Sequence, residues 1–168
     1  MTKFLLAVHV LAAILAVGPV TVAASMFPPA ARKARAHPED EQAAAVVRGL
    51  HRTCRIYAVV GVVVPVFGFG VAVQMGVVGD AWLVVSMVLT AIAAALLGSA
   101  VLPRQSALLA DIGTADDGTA TATAPAADPV SPFHRATVRL GMLTGVFNLL
   151  WATVTVLMIA RPGSSTGA

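Results

Sequence analysis

The sequence predicts an all-α fold, a polytopic membrane protein built as an antiparallel bundle of four transmembrane helices. Three observations carry this: four uncharged apolar stretches of spanning length, basic residues confined to two of the three connections, and a composition too apolar for water. Of the 168 residues, 58% are hydrophobic and 11% are charged, whereas soluble domains carry roughly 25% charged residues. The mean hydropathy is +0.86. A chain of this length is ordinarily one domain, and residues 1–168 read as a single integral membrane domain.

A helix needs about 20 largely apolar residues to cross hydrocarbon. Residues 4–27 hold no charged side chain and run up to Pro28 and Pro29. Residues 56–79 hold none and meet Asp80; residues 81–102 hold none and meet Pro103 and Arg104; residues 140–160 hold none and meet Arg161 and Pro162. Each is too long for a typical strand, and an open sheet cannot satisfy its backbone in lipid. Lys3, the following apolar run and Val22-Ala23-Ala24 also fit a cleaved signal peptide. The run is longer than a usual signal core, and cleavage would strand a basic loop outside. The first span is therefore expected to be retained.

The connections set the orientation. Arg32, Lys33, Arg35, Arg48, Arg52 and Arg55 lie between the first two spans, and Arg104, Arg135 and Arg139 between the last two. Only Lys3 and Arg161 lie on the other side, which makes nine basic residues against two. The positive-inside rule then puts both loops in the cytoplasm and both termini outside a cell membrane. The pI near 9.8 follows from this placement and does not point to nucleic acid. His37-Pro38-Glu39-Asp40-Glu41 reads as a helix start, with acids at the positive end of the dipole. That helix is expected to run on into the second span, where glycines and Pro65 predict a kink. Residues 113–132, rich in Ala, Thr, Asp, Gly and Pro, bury nothing and are expected to be disordered.

Helix packing has its own signs. Gly141 and Gly145 form a small-xxx-small pair that lets two backbones approach, within the bundle or between two copies. Ala91, Ala94, Ala95, Gly98 and Ser99 repeat at helical spacing in the third span, and the second contains Gly61, Gly68 and Gly70. Asn148, deep in the fourth span, is expected to clip two helices together by a hydrogen bond.

Signatures of soluble enzymes are missing: there is no phosphate-binding glycine loop, CxxC, HExxH or GxSxG. No Asp or Glu falls inside a span, so the paired carboxylates of ion-coupled transport are missing too. Cys54 is the one cysteine, so no intrachain disulfide can form. His9 is the one ionisable side chain well inside a span. It is a neutral imidazole bonded to a helix backbone or a neighbouring hydroxyl, a ligand to haem or copper with Met75, Met87 and Met158 as candidate partners, or a proton relay. His51 and His134 fall at the opposite surface, most of a membrane thickness away. Arg48, His51, Arg52 and Arg55 share a helix face at i, i+3, i+4, i+7, and Arg135 and Arg139 make a similar pair. Both sets are expected to rest among anionic lipid headgroups or to form an anion site.

A first span reading Phe4-Leu5-Leu6-Ala7-Val8-His9-Val10-Leu11 with Gly18 beyond it, then a basic loop and three more spans, resembles a family of bacterial integral membrane proteins known only as a domain of unknown function. The resemblance covers about residues 1–160. In layout the chain is also similar to membrane proteins of the copper-resistance-D and haem-dependent protoporphyrinogen-oxidase type. That second likeness implies haem b or copper at His9, although the tryptophan-glycine and arginine-histidine signature of the oxidase type is missing here. The reading that follows is a structural or accessory membrane component, with a haem- or copper-binding redox protein as the alternative. A homo-oligomer or a larger membrane complex is its expected setting.

Overall fold

Each apolar stretch forms a helix, and each helix outruns the stretch that predicts it. The computed structural model describes residues 2–116 and 132–163. Helix α1 spans Thr2–Ala36 and α2 spans Glu41–Met75, 35 residues each. Helix α3 (Ala81–Leu96) passes through a π-helical turn (Leu97–Val101) into α4 (Leu102–Asp116), and α5 covers Pro132–Ala160. Four helical rods are thus long and apolar enough to cross a membrane, and the described residues contain no strand. Of the segment expected to be disordered, residues 113–116 end α4 and Pro132 opens α5. The rest of it, 117–131, lies outside the described residues.

Prolines do not end these helices. Pro19, Pro28 and Pro29 sit inside α1, and Pro65 inside α2. Each removes one backbone donor and leaves a carbonyl four residues earlier without its partner. Neighbouring helices and side chains can make up that loss in a membrane bundle. Pro103, expected to close the third span, follows the π-turn directly, where the Leu102 amide bonds the Leu97 carbonyl five residues back. Arg104 Nη1 reaches back to the Ala100 carbonyl at 2.9 Å. The π-turn also solves a register problem. Ala93, Leu97, Val101 and Gln105 are all buried, three successive steps of four residues. At 3.6 residues per turn those steps would carry the stripe about 120° round the helix. The wider turn keeps it facing the core.

The connections use ordinary turn chemistry. Asp40 caps α2 by accepting from the Ala43 amide at 3.0 Å, one turn later than the helix start expected at Pro38. Lys33 lies 3.9 Å from Asp40 across the same turn. Gly76 ends α2 in a left-handed conformation (φ 71°) that costs glycine nothing.

The α1–α2 hairpin is the most intimate pair, and small residues let it close. Ala16, Ala23, Ala24, Ala31 and Ala34 of α1 are all buried. Helix α5 packs on α1 and α3 through Thr137, Leu140, Thr144, Phe147 and Val154, a spacing of three and four that marks one helix face. The largest core cluster joins Phe27, Ala31, Val47, Val101, Leu108 and Leu140, toward the loop-side end. A smaller one, Ala72, Trp82 and Leu83, closes the opposite end.

Two packing expectations are corrected. A β-carbon added at Gly141 or Gly145 would meet nothing within 4 Å, so this pair faces outward and joins no helices within the bundle. Ala91, Ala94, Ala95, Gly98 and Ser99 are likewise exposed, while Ala93 and Leu97 turn inward. Small-residue spacing marks a face without saying which way the face points, and here alanines of α1 make the close approach instead.

Candidate functional site

Hydroxyls inside the spans bond their own helices. Ser86, Thr90, Thr144, Thr153 and Thr155 each donate to the carbonyl four residues back, at 2.8–3.0 Å. This removes the cost of an unpaired hydroxyl in lipid and leaves few polar atoms for chemistry. Three places retain some.

His9 is the first. It is 8% exposed, and its ring fills the slot that Gly68 of α2 leaves open, one turn from Val64. A β-carbon at Gly68 would stand 2.7 Å from His9 Cε1. The Nδ1 atom is buried with no hydrogen-bond partner. Of the expected sulfur partners, Met87 is 41% exposed, Met158 packs with the Trp82 cluster, and Met75 is the last residue of α2, two turns past Gly68. His9 meets Gly68 and Val64, not a methionine. Among the described residues no three His, Cys, Asp or Glu side chains gather, and nothing there indicates haem or copper at His9.

The second place was not legible in the sequence. His51 is half-buried and bonds Gln105, while Arg48, Arg52 and Arg55 stay exposed. Gln105, fully buried just past the π-turn, presents its amide oxygen to His51 Nδ1 at 3.0 Å and its Nε2 to Cys54 Sγ at 3.6 Å. An amide oxygen only accepts, so Nδ1 carries the proton and donates. Ser106 Oγ lies 3.4 Å from Nε2 and also bonds the Leu102 carbonyl. The Phe27 ring lies edge-on to the imidazole, 6.5 Å between centroids. The cluster thus ties α2 to α4 beside α1. One signal existed: His51 and Cys54 stand three apart, on one face of a helix.

Asn148 is the third. Its Nδ2 donates to Ser25 Oγ of α1 at 3.1 Å, in the turn whose carbonyls Pro28 and Pro29 leave unpaired. Its Oδ1 is buried without a partner. At the other end of the bundle, the Trp82 indole donates to Asp80 at 3.0 Å while the Arg161 guanidinium lies 5.7 Å over its ring. This pins the end of α5 to the α2–α3 turn.

The remaining arginines gather at the loop side. Arg104 of α4 and Arg135 and Arg139 of α5 line a groove of about 390 Å³. A second concavity of about 410 Å³, against His134, Val138 and Met142, shares Arg135 and Arg139. Arg35 of α1 lies 5.7 Å over the Phe133 ring and donates to the Asp111 carbonyl at 3.0 Å, fastening the hairpin to this corner.

Four apolar helices whose outer faces are rich in valine, leucine and phenylalanine define a polytopic integral membrane protein. The chain belongs to the family described as predicted integral membrane protein (DUF2269), whose profile matches residues 3–162. Neither curated proteins nor solved structures return a match.

Proposed function

We propose that the protein is a structural or accessory component of the membrane and carries out no redox chemistry of its own. One observation carries this reading: the buried polar side chains that do not bond their own helix meet a neighbouring one. Asn148 reaches Ser25, Gln105 joins His51 to Cys54, and His9 fills the Gly68 slot. Nothing in the described residues or the comparisons indicates haem or copper binding. The outward Gly141 and Gly145 support association with a second copy or a partner helix, since small residues permit backbone contact in lipid. Basic residues concentrated on the loop side support an orientation with both termini outside and the loops in the cytoplasm.

The test is optical and elemental. Protein purified in detergent from cells replete in haem and copper is expected to be colourless and metal-free. A Soret band, or stoichiometric copper, that disappears in His9→Ala would overturn the proposal in favour of the redox alternative.

A further inference from the structure

Three helices agree on where the hydrocarbon ends. The ends of Arg55 to Met75, Val84 to Arg104 and Arg139 to Ile159 lie 20 positions apart in the numbering, about 30 Å of helix and the thickness of a bilayer core. Between those limits the outward residues are mainly apolar, with Gln74 near the far end of α2 and Ser99, Thr153 and Thr155 bonded to carbonyls of their own helices; Val66, Met142, Leu149 and Ile159 are each at least 60% exposed. Arg55, Arg104 and Arg139 therefore stand at the level of the lipid phosphates. Arg135 is one turn above Arg139, on the aqueous side.

Two of these boundary arginines share a groove. Arg104 comes from α4 and Arg139 from α5; Arg135 joins them, and Ala107, Leu108 and Ala136 form its floor. The volume of about 390 Å³ falls in the range of small-ligand clefts, roughly 300–1,000 Å³. The two ion pairs among the described residues, Lys33–Asp40 and His37–Glu39, involve none of the three. Arg104 is held by the Ala100 carbonyl, which leaves most of its five donors to point elsewhere. Asp111 also lines the groove, two turns above Arg104, so among the described residues lining it one negative charge stands against three positive ones. Below Arg139 the apolar surface continues through Met142, 66% exposed, and Val146, 50% exposed.

We propose that the groove between α4 and α5 is a binding site for the headgroup phosphate of an anionic phospholipid, in the leaflet on the side of the basic loops. The guanidinium groups take the phosphodiester, and the acyl chains lie along the exposed face of α5. Arg48 and Arg52 lie one or two turns beyond Arg55 on the aqueous side, where they add attraction without forming a site.

The full chain in neutral detergent is titrated with phosphatidylglycerol, phosphatidylcholine and inorganic phosphate, and bound lipid is counted by native mass spectrometry. Wild type is expected to hold phosphatidylglycerol at least about tenfold more tightly than phosphatidylcholine. The R104Q/R135Q/R139Q variant should lose that preference. The R32Q/R48Q/R52Q variant, with the same charge removed from the same side, should keep it. R139Q alone, checked for wild-type helicity, should weaken it severalfold and covers the event that the triple variant misfolds. Equal loss in both triple variants would reduce the groove to diffuse headgroup attraction and overturn the proposal. Millimolar inorganic phosphate that displaces the lipid would overturn it in favour of a soluble anion.

Discussion

A β-carbon at Gly68 would press into the imidazole of His9, so neither residue can be read alone. Gly68→Ala is expected to destabilise the protein by about 1–3 kcal/mol, the usual cost of overpacking. His9→Ala, which empties the slot, should also destabilise it. In the double variant the new methyl group occupies space the ring vacated, so its loss should be smaller than the sum of the two. Unfolding of the purified variants in graded SDS measures this, and strict additivity would show that the two residues do not share the slot. The depth of His9 is legible in the sequence, because a charge-capable side chain within residues 4–27 stands out. Its partner is not. The second span contains several glycines, and only the crossing geometry of α1 on α2 selects Gly68 from among them. Gln105 escapes the sequence for a different reason: just past Pro103 and Arg104, it reads as loop.

Why the third rod goes on past proline is a question of helix geometry. In water a proline closes a helix, because the carbonyl it orphans must find a solvent partner and the chain can turn away. Here the π-turn just ahead of Pro103 realigns the buried stripe from Ala93 to Gln105. Spans read from hydropathy are therefore correct in number and order but too short at the loop side, where polar residues continue the helices. Deleting exposed Ser99 should remove the π-turn and leave Gln105 facing the core, because the buried positions then follow at steps of four, three and four along an α-helix. Cys54, fully buried in the native fold, should then stay protected from a membrane-permeant maleimide. Deleting Ser99 and Ala100 together removes one residue too many, and should turn Gln105 by about 100° and make the thiol reactive. A thiol exposed by the single deletion, or still protected after the double one, would mean the π-turn does not set the register of α4.

Across the whole molecule, orientation is the property most open to direct measurement. Glu39 in the α1–α2 turn and Gly79 in the α2–α3 turn are both exposed at opposite ends of the bundle, and buried Cys54 contributes little background. An impermeant maleimide on intact cells is expected to label Gly79→Cys and to spare Glu39→Cys until the membrane is opened. The reverse pattern would invert the molecule in the bilayer without altering a single contact within it. The nine-to-two charge asymmetry is legible from residue order alone, since it depends on which connection each arginine occupies. The arginine groove is not, because Arg104 and Arg139 are 35 positions apart in the numbering and meet only once α4 lies beside α5.

Helix length has a further consequence. A rod of 35 residues measures about 52 Å, and a bilayer core accounts for about 30 Å of it. The remainder stands in water, and it contains much of the main core: Ala31, Ala34, Ala43, Val47, Leu108 and Ile112. The same four-helix array is thus folded by two solvents. Its wet end coheres because water expels those side chains, an interaction that weakens on cooling and in urea. Its lipid end has no such drive and holds by close contact and a few hydrogen bonds. The two ends should melt under different provocations: urea opens the wet end while the lipid end persists, and harsher detergents reach the lipid end first.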